Sequence, residues 1–258
     1  VPGIEVYGGI ILNSCYGGIN PRDVKTALHY GSGAKFVQFG THTTKFMASR
    51  EARIQDGKPV RLMDLYPGFR DEELSRAIQI PLDTLTPEIE EILSLIGEHS
   101  GVYLNTGHVS GEEAKRLVDL SSKFGIEKIV VAEHAVAELS IEEQKLVAKK
   151  GAYLEHSVAQ YIGAGAIPRT HYYVESDYMY DVVLDVAKHR PNLRGLGDQI
   201  REIGPENFII SSDYGIRALP SPVEGMRMGV ACLLDMNFSS EDIRTMMCTN
   251  PAKLLNLE

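Results

Sequence analysis

The 258-residue sequence has three cysteines, Cys15, Cys232 and Cys248, and no C-x-x-C pair. So sparse and odd a set argues against a disulfide framework and against a cysteine zinc site, and it points to a reducing compartment, the cytoplasm. No apolar run approaches the roughly 18 residues of a membrane helix. The N-terminus lacks a charged-then-apolar signal pattern. No Lys/Arg-rich run relieves a net charge of −9, and the sequence pI is about 5.4. Nucleic acid is therefore disfavoured as a partner, because phosphate binding needs basic surface. A G-x-S-x-G elbow and a P-loop are both absent. The stretch from Gly163 to Pro168 begins like a dinucleotide fingerprint and fails at the third glycine.

What is present is an ordinary globular composition, with 43% hydrophobic and 24% charged residues. Six segments read as buried strands: 4–12, 34–40, 101–106, 128–134, 152–156 and 207–213. They are near-continuous apolar runs, as expected of parallel strands covered on both faces. Helix starts are marked between them. Asn20-Pro21, Thr86-Pro87 and Ser221-Pro222 place a cap before a first-turn proline. Ser110 with Glu113, and Ser140 with Glu143, fit the capping box. The repeating unit is βα, and the fold class is parallel α/β. Two helical stretches, 222–235 and 240–256, close the chain, with a break expected at Asn250-Pro251. Inserts at about 41–85 and 157–190 exceed an ordinary βα loop of about 2–6 residues. Both leave the C-terminal end of a strand, where long loops shape sites. Tyr161, Tyr172, Tyr173, Tyr178 and Tyr180 crowd the second insert, as a lid or as a surface cluster.

Strand ends carry the chemistry. His108, His134, His156 and Asp213 each follow an apolar run, and His42 follows the second strand closely. In a parallel sheet these ends share one face, where ligand sites form. Imidazole and carboxylate are ligands for Zn²⁺, Mn²⁺ or Fe²⁺, and a metal-activated water is the usual purpose of such a site. Each residue alone has a plain structural reading, as a hydrogen-bonded loop histidine or a turn-forming aspartate. The argument rests on their recurrence. Lys45 and Arg169 lie in the inserts, as anion-holding or simply solvated side chains, while His29, His99 and His189 read as surface residues of helices.

His at two successive strand ends with Asp at the last, and the closing NPAKLLNL (250–257), resemble the amidohydrolase superfamily of metal-dependent TIM-barrel hydrolases. VYGGIILN, GGINP, TGHVSGEEA, GAYLEHS, SSDYG and PVEGMRMGV are more narrowly similar to a bacterial and archaeal subgroup of unknown function within it. The resemblance implies one (β/α)8 barrel domain over 1–258. His108 and His134 would be metal ligands, and Asp213 a metal ligand and proton acceptor. His156 would lie in the second shell or face substrate, and His42, Lys45 and Arg169 are likewise expected in substrate-binding or second-shell places. It implies one or two divalent ions, zinc first, a small-molecule substrate, a homo-oligomer, and cleavage of an amide, cyclic amide or ester. A non-oxidative decarboxylase and a degenerate, non-catalytic barrel are the alternatives. The superfamily's His-x-His pair is absent. The six strands are therefore expected to be strands 3 to 8, with two βα units of roughly 50–70 residues supplied by a separate, cleaved or preceding segment.

Overall fold

The computed structural model describes residues 3–49, 52–55, 58–61, 67–161, 193–215 and 221–257. Six parallel strands form its main sheet: β1 (Ile10–Ile11), β2 (Phe36–Gln38), β5 (Tyr103–Asn105), β6 (Ile129–Val131), β7 (Ala152–Ser157) and β8 (Phe208–Ser211). Their spatial order is their chain order, each strand pairing with the next. The sheet therefore has no reversal point, as in a singly wound barrel and unlike a doubly wound sheet. All the strand C-termini lie along one rim.

The strand alternation gives two distinct faces. Leu104, Ile129, Val131, Leu154 and Phe208 point into the main core. That core is shared with helices α1 (Pro21–His29), α4 (Pro87–Gly97), α5 (Gly111–Lys123) and α7 (Ile141–Lys149). The other face carries Tyr103, Asn105, Val130, Tyr153, Glu155, Ile209 and Ser211, which register pairs across the strands. At its lower end Val130 and Ile209 bury Leu254 of the last helix. Lys128 holds that helix by donating to the carbonyls of Lys253 (2.8 Å) and Leu254 (3.2 Å). A cation at a helix C-terminus satisfies free carbonyls and opposes the helix dipole.

The capping expectations hold. Ser110 and Ser140 form complete capping boxes, and Asn20, Thr86 and Ser221 each accept from the first turn of their helix. Two expectations change, the length of the first strand and the break in the last helical stretch. The first strand is much shorter than 4–12: only Ile10–Ile11 pairs, while Ile4 and Val6 stay 63% and 89% exposed. β1 has a neighbour on one side only among the described residues, and the preceding segment is tied to it where the Gly8 carbonyl accepts from the Lys35 amide at 2.8 Å. The first insert has secondary structure of its own. It contains a short helix α2 (Lys45–Ala48), an antiparallel hairpin of β3 (Ala52–Gln55) and β4 (Lys58–Arg61), and helix α3 (Pro67–Arg76). Its ends meet at Thr44 and Ile78. The last helical stretch does not break at Asn250-Pro251. A π-helical turn, Thr245–Thr249, joins Ser240–Arg244 to Asn250–Leu255. Widening the helix there accommodates the proline's missing N–H. Asn250 is buried and donates Nδ2 to the carbonyls of Pro205, Glu206 and Phe208, which ties this turn to the start of β8. Residues 162–192 of the second insert, with Arg169, His189 and four of its five tyrosines, lie outside the described residues.

Candidate functional site

Each strand-end turn is built to present one side chain. After β5, Asn105 Oδ1 accepts the N–H of Gly107 at 2.8 Å, and Thr106 Oγ1 accepts that of Ala132 at 3.0 Å. Gly107 has φ +68, and a Cβ there would stand 2.0 Å from the Phe39 carbonyl oxygen. Only glycine fits this backbone and this approach. The chain then delivers His108, whose own carbonyl accepts from Thr44 Oγ1 at 2.6 Å. After β2, Asn13 Oδ1 accepts from the Thr41 amide and from the hydroxyls of Thr41 and Thr43, fixing the turn that holds His42. After β6, Ala132 starts the four-residue helix α6 (Glu133–Val136), so His134 lies in a helical turn just past the strand. After β8, Asp213 adopts the left-handed conformation, φ +50. Asp tolerates that region better than most residues.

Three histidines from successive strand ends come together. The His108 and His134 rings stack at 3.9 Å between centres, 26° from parallel. His42 meets His108 edge-on at 5.2 Å. Asp213 is exposed at the same rim and is felt electrostatically by Glu133 and Glu155.

Those two glutamates were not singled out in the sequence. Glu133 is buried, accepts the Ser157 amide at 3.0 Å and lies 3.6 Å from His134 Nδ1. Burial raises its pKa to about 7, and the charges of Glu155 and Asp213 add to the rise. Glu155 lies on the face opposite the helices. Burial also raises its pKa, hydrogen bonds from Ser211 and Asn105 oppose the rise, and Asp213 adds to it. The available signal was the acid before the histidine in Ala132-Glu133-His134 and Leu154-Glu155-His156. It is weak, because Glu98-His99 repeats it on a helix end.

His156 and Lys45 are not brought into the His42–His108–His134 group. His156 alternates with Glu155 and so faces the helix-packed core. It is 4% exposed, stacks on Phe208 at 5.6 Å and shares a 3.0 Å hydrogen bond with Tyr161. Burial alone lowers its pKa to about 4. The structure thus turns His156 toward the helices, because period-two alternation puts one residue of the pair on each face. Lys45 is exposed and donates to Gln79 Oε1 at 3.1 Å. Arg169 lies outside the described residues.

Imidazole and carboxylate at one rim are donors that suit a divalent ion. The fit is one of donor type and not of number. Among the described residues no three His, Cys, Asp or Glu side chains draw together as a ligand set.

Residues 1–155 match a family described as "Family of unknown function (DUF6282)". The chain belongs to this family. No curated protein matches it. Among solved structures, an uncharacterized protein is similar at 13% identity and a TM-score of 0.48, covering 99% of this chain and 52% of that one. The chain thus spans about half the length of that relative. A protein described as a "Putative 2-Pyrone-4,6-Dicarboxylic Acid Hydrolase" from Pseudomonas putida is similar at 12% identity and a TM-score of 0.46, over 98% of this chain and 82% of that one. The DUF6282 match ends within β7, so it includes the His42, His108 and His134 turns and stops before Asp213. Among the described residues no helix is long and apolar enough to cross a membrane.

Proposed function

We propose that this member of the DUF6282 family is a hydrolase acting on a small molecule at the rim formed by the strand C-termini. The six strands would then be strands 3 to 8 of a barrel. The observation that carries the reading is the stacked His108–His134 pair, delivered by consecutive turns beside the buried Glu133. His108 and His134 would hold a divalent ion, zinc first and manganese or iron next, with Asp213 as a further donor. When bound, such an ion polarises a carbonyl oxygen and makes water a better nucleophile.

The chain's own residues account for the rest. Glu133 lies 3.6 Å from Nδ1 of His134, an electrostatic contact longer than a hydrogen bond, and when ionised it would favour a proton on that nitrogen, with Nε2 as the lone-pair nitrogen. Asp213 is the carboxylate at the rim that can accept a proton from an attacking water and return it to the leaving group. His42, held by its Asn13-anchored turn, faces the same space and supports substrate binding. An amide, cyclic amide or ester is the bond class this set serves.

The lack of a three-ligand group among the described residues favours a second reading, a non-catalytic barrel subunit. Elemental analysis of the purified protein, with a screen of amides, lactones and esters, separates the two. Bound divalent metal and turnover, both lost in His134→Asn, support the hydrolase. A metal-free protein whose behaviour is unchanged by His134→Asn overturns it.

A further inference from the structure

Helices α1 and α4 pack side by side, joined by a Lys25–Glu91 ion pair. At their C-terminal ends stand His29, the last residue of α1, and His99, two residues beyond α4. Their rings meet at 5.5 Å between centres and 85° between planes. Each ring is fixed in the same way. His29 Nδ1 bonds the carbonyl of Lys25 at 2.8 Å, and His99 Nδ1 bonds that of Leu95 at 2.7 Å. A carbonyl oxygen only accepts, so Nδ1 carries the proton in both rings. Each neutral imidazole is thereby held in the tautomer whose Nε2 has the free lone pair. A backbone carbonyl on the far nitrogen is also the usual outer support of a metal-bound histidine.

We propose that His29 and His99 form a two-histidine site for a transition-metal ion such as Zn²⁺, Ni²⁺ or Cu²⁺, separate from the strand-end rim. The spacing suits it. Imidazole nitrogen binds zinc at about 2.0–2.1 Å, which places each ring centre about 3.2 Å from a shared ion and the two centres about 5 Å apart at a tetrahedral angle. The two helix C-termini add negative potential at the same place. His29 is exposed and His99 half-buried, so water can fill the remaining coordination positions. Two neutral nitrogen donors favour these ions over Mg²⁺ or Ca²⁺ and bind copper more tightly than nickel or zinc.

The site does not depend on the proposed hydrolase, and its test is separate. Calorimetric titration of the whole protein with Zn²⁺ alone, and with Ni²⁺ alone, is compared with His29→Gln, His99→Gln and the double variant. Loss of one binding event, with affinity at least tenfold weaker in each single variant, supports the site. Retention of any rim metal in the double variant keeps the two sites apart. Isotherms unchanged in both single variants overturn the proposal. Circular dichroism checks that the variants fold. In His134→Asn protein, where the proposed rim site is disabled, substoichiometric Cu²⁺ should selectively broaden the imidazole resonances of His29 and His99. Broadening elsewhere with these two spared would equally overturn it.

Discussion

Glu155 and His156 are neighbours that leave β7 on opposite faces, and each has a different consequence. Glu155 accepts hydrogen bonds from Asn105 and Ser211. Asn105 in turn holds the Gly107 amide that shapes the His108 turn, and Ser211 lies two residues before Asp213. One half-buried carboxyl thus braces both turns of the rim without itself needing to touch substrate. Removing such support costs about 10–100-fold in metal affinity or activity. Glu155→Ala should weaken metal binding at the rim by that factor, measured by competition with a chromophoric chelator. Glu155→Gln still accepts one bond through its amide oxygen and should recover much of the loss. Equal effects of Gln and Ala would reject the bracing role. His156 governs acid stability instead. Its folded pKa of about 4 lies below the unfolded 6.5, so the unfolded chain binds the proton first. Its contribution is complete above pH 6.5 and declines toward pH 4, by up to about 3 kcal/mol. Glu133 and Glu155 have the opposite sign, since raised carboxyl pKa values let the folded state gain protons first. The wild-type curve is therefore flattened, and a variant must separate the effects. Between about pH 7.5 and about pH 5, His156→Leu should gain about 2 kcal/mol relative to wild type in urea melts. A difference that does not change with pH would show that the folded protein accommodates the imidazolium.

At the scale of elements, the site depends on turns, and turns are what the sequence displays least. The strand cores and helix caps were legible because burial on both faces gives apolar runs and capping needs particular residues at fixed offsets. Strand 4–12 misled because Ile4, Val6 and Ile10 carry a strand pattern whether or not a neighbouring strand is there to pair with. His156 shows a related limit: an apolar run followed by histidine shows where a strand ends but not which face the histidine takes. Register decides that, and register belongs to the sheet. Gly107 was visible only as part of Thr-Gly-His, yet it sets the position of His108. Gly107→Ala combines a left-handed φ with a Cβ 2.0 Å from the Phe39 carbonyl oxygen, so the β2 and β5 turns must separate. A loss of about 3 kcal/mol or more is expected in chemical denaturation. A loss below about 1 kcal/mol would mean that the turn relaxes freely and does not hold His108.

Across the whole molecule, charge accumulates where the strands end. The chain carries −9 overall, and Glu133, Glu155 and Asp213 converge at the rim, where Asp213 raises the pKa of both glutamates. Like charges brought together in partial burial oppose folding, and a cation bound among them would relieve that repulsion. An ion that binds only the folded state stabilises it through mass action, by about 2.7 kcal/mol at one hundred times its Kd. For a chain of this length that corresponds to a rise in Tm of about 5–10 °C. Measured in the His29→Gln/His99→Gln background, so that the helix-end site is silent, Zn²⁺ or Mn²⁺ should raise Tm by that amount. A chelator should reverse the shift, and His134→Asn should abolish it. Because the readout is folding, it needs no substrate. A Tm indifferent to Zn²⁺, Mn²⁺ and Fe²⁺ would leave the carboxyl groups to keep their protons as the only relief, and the non-catalytic subunit would become the better account of this rim.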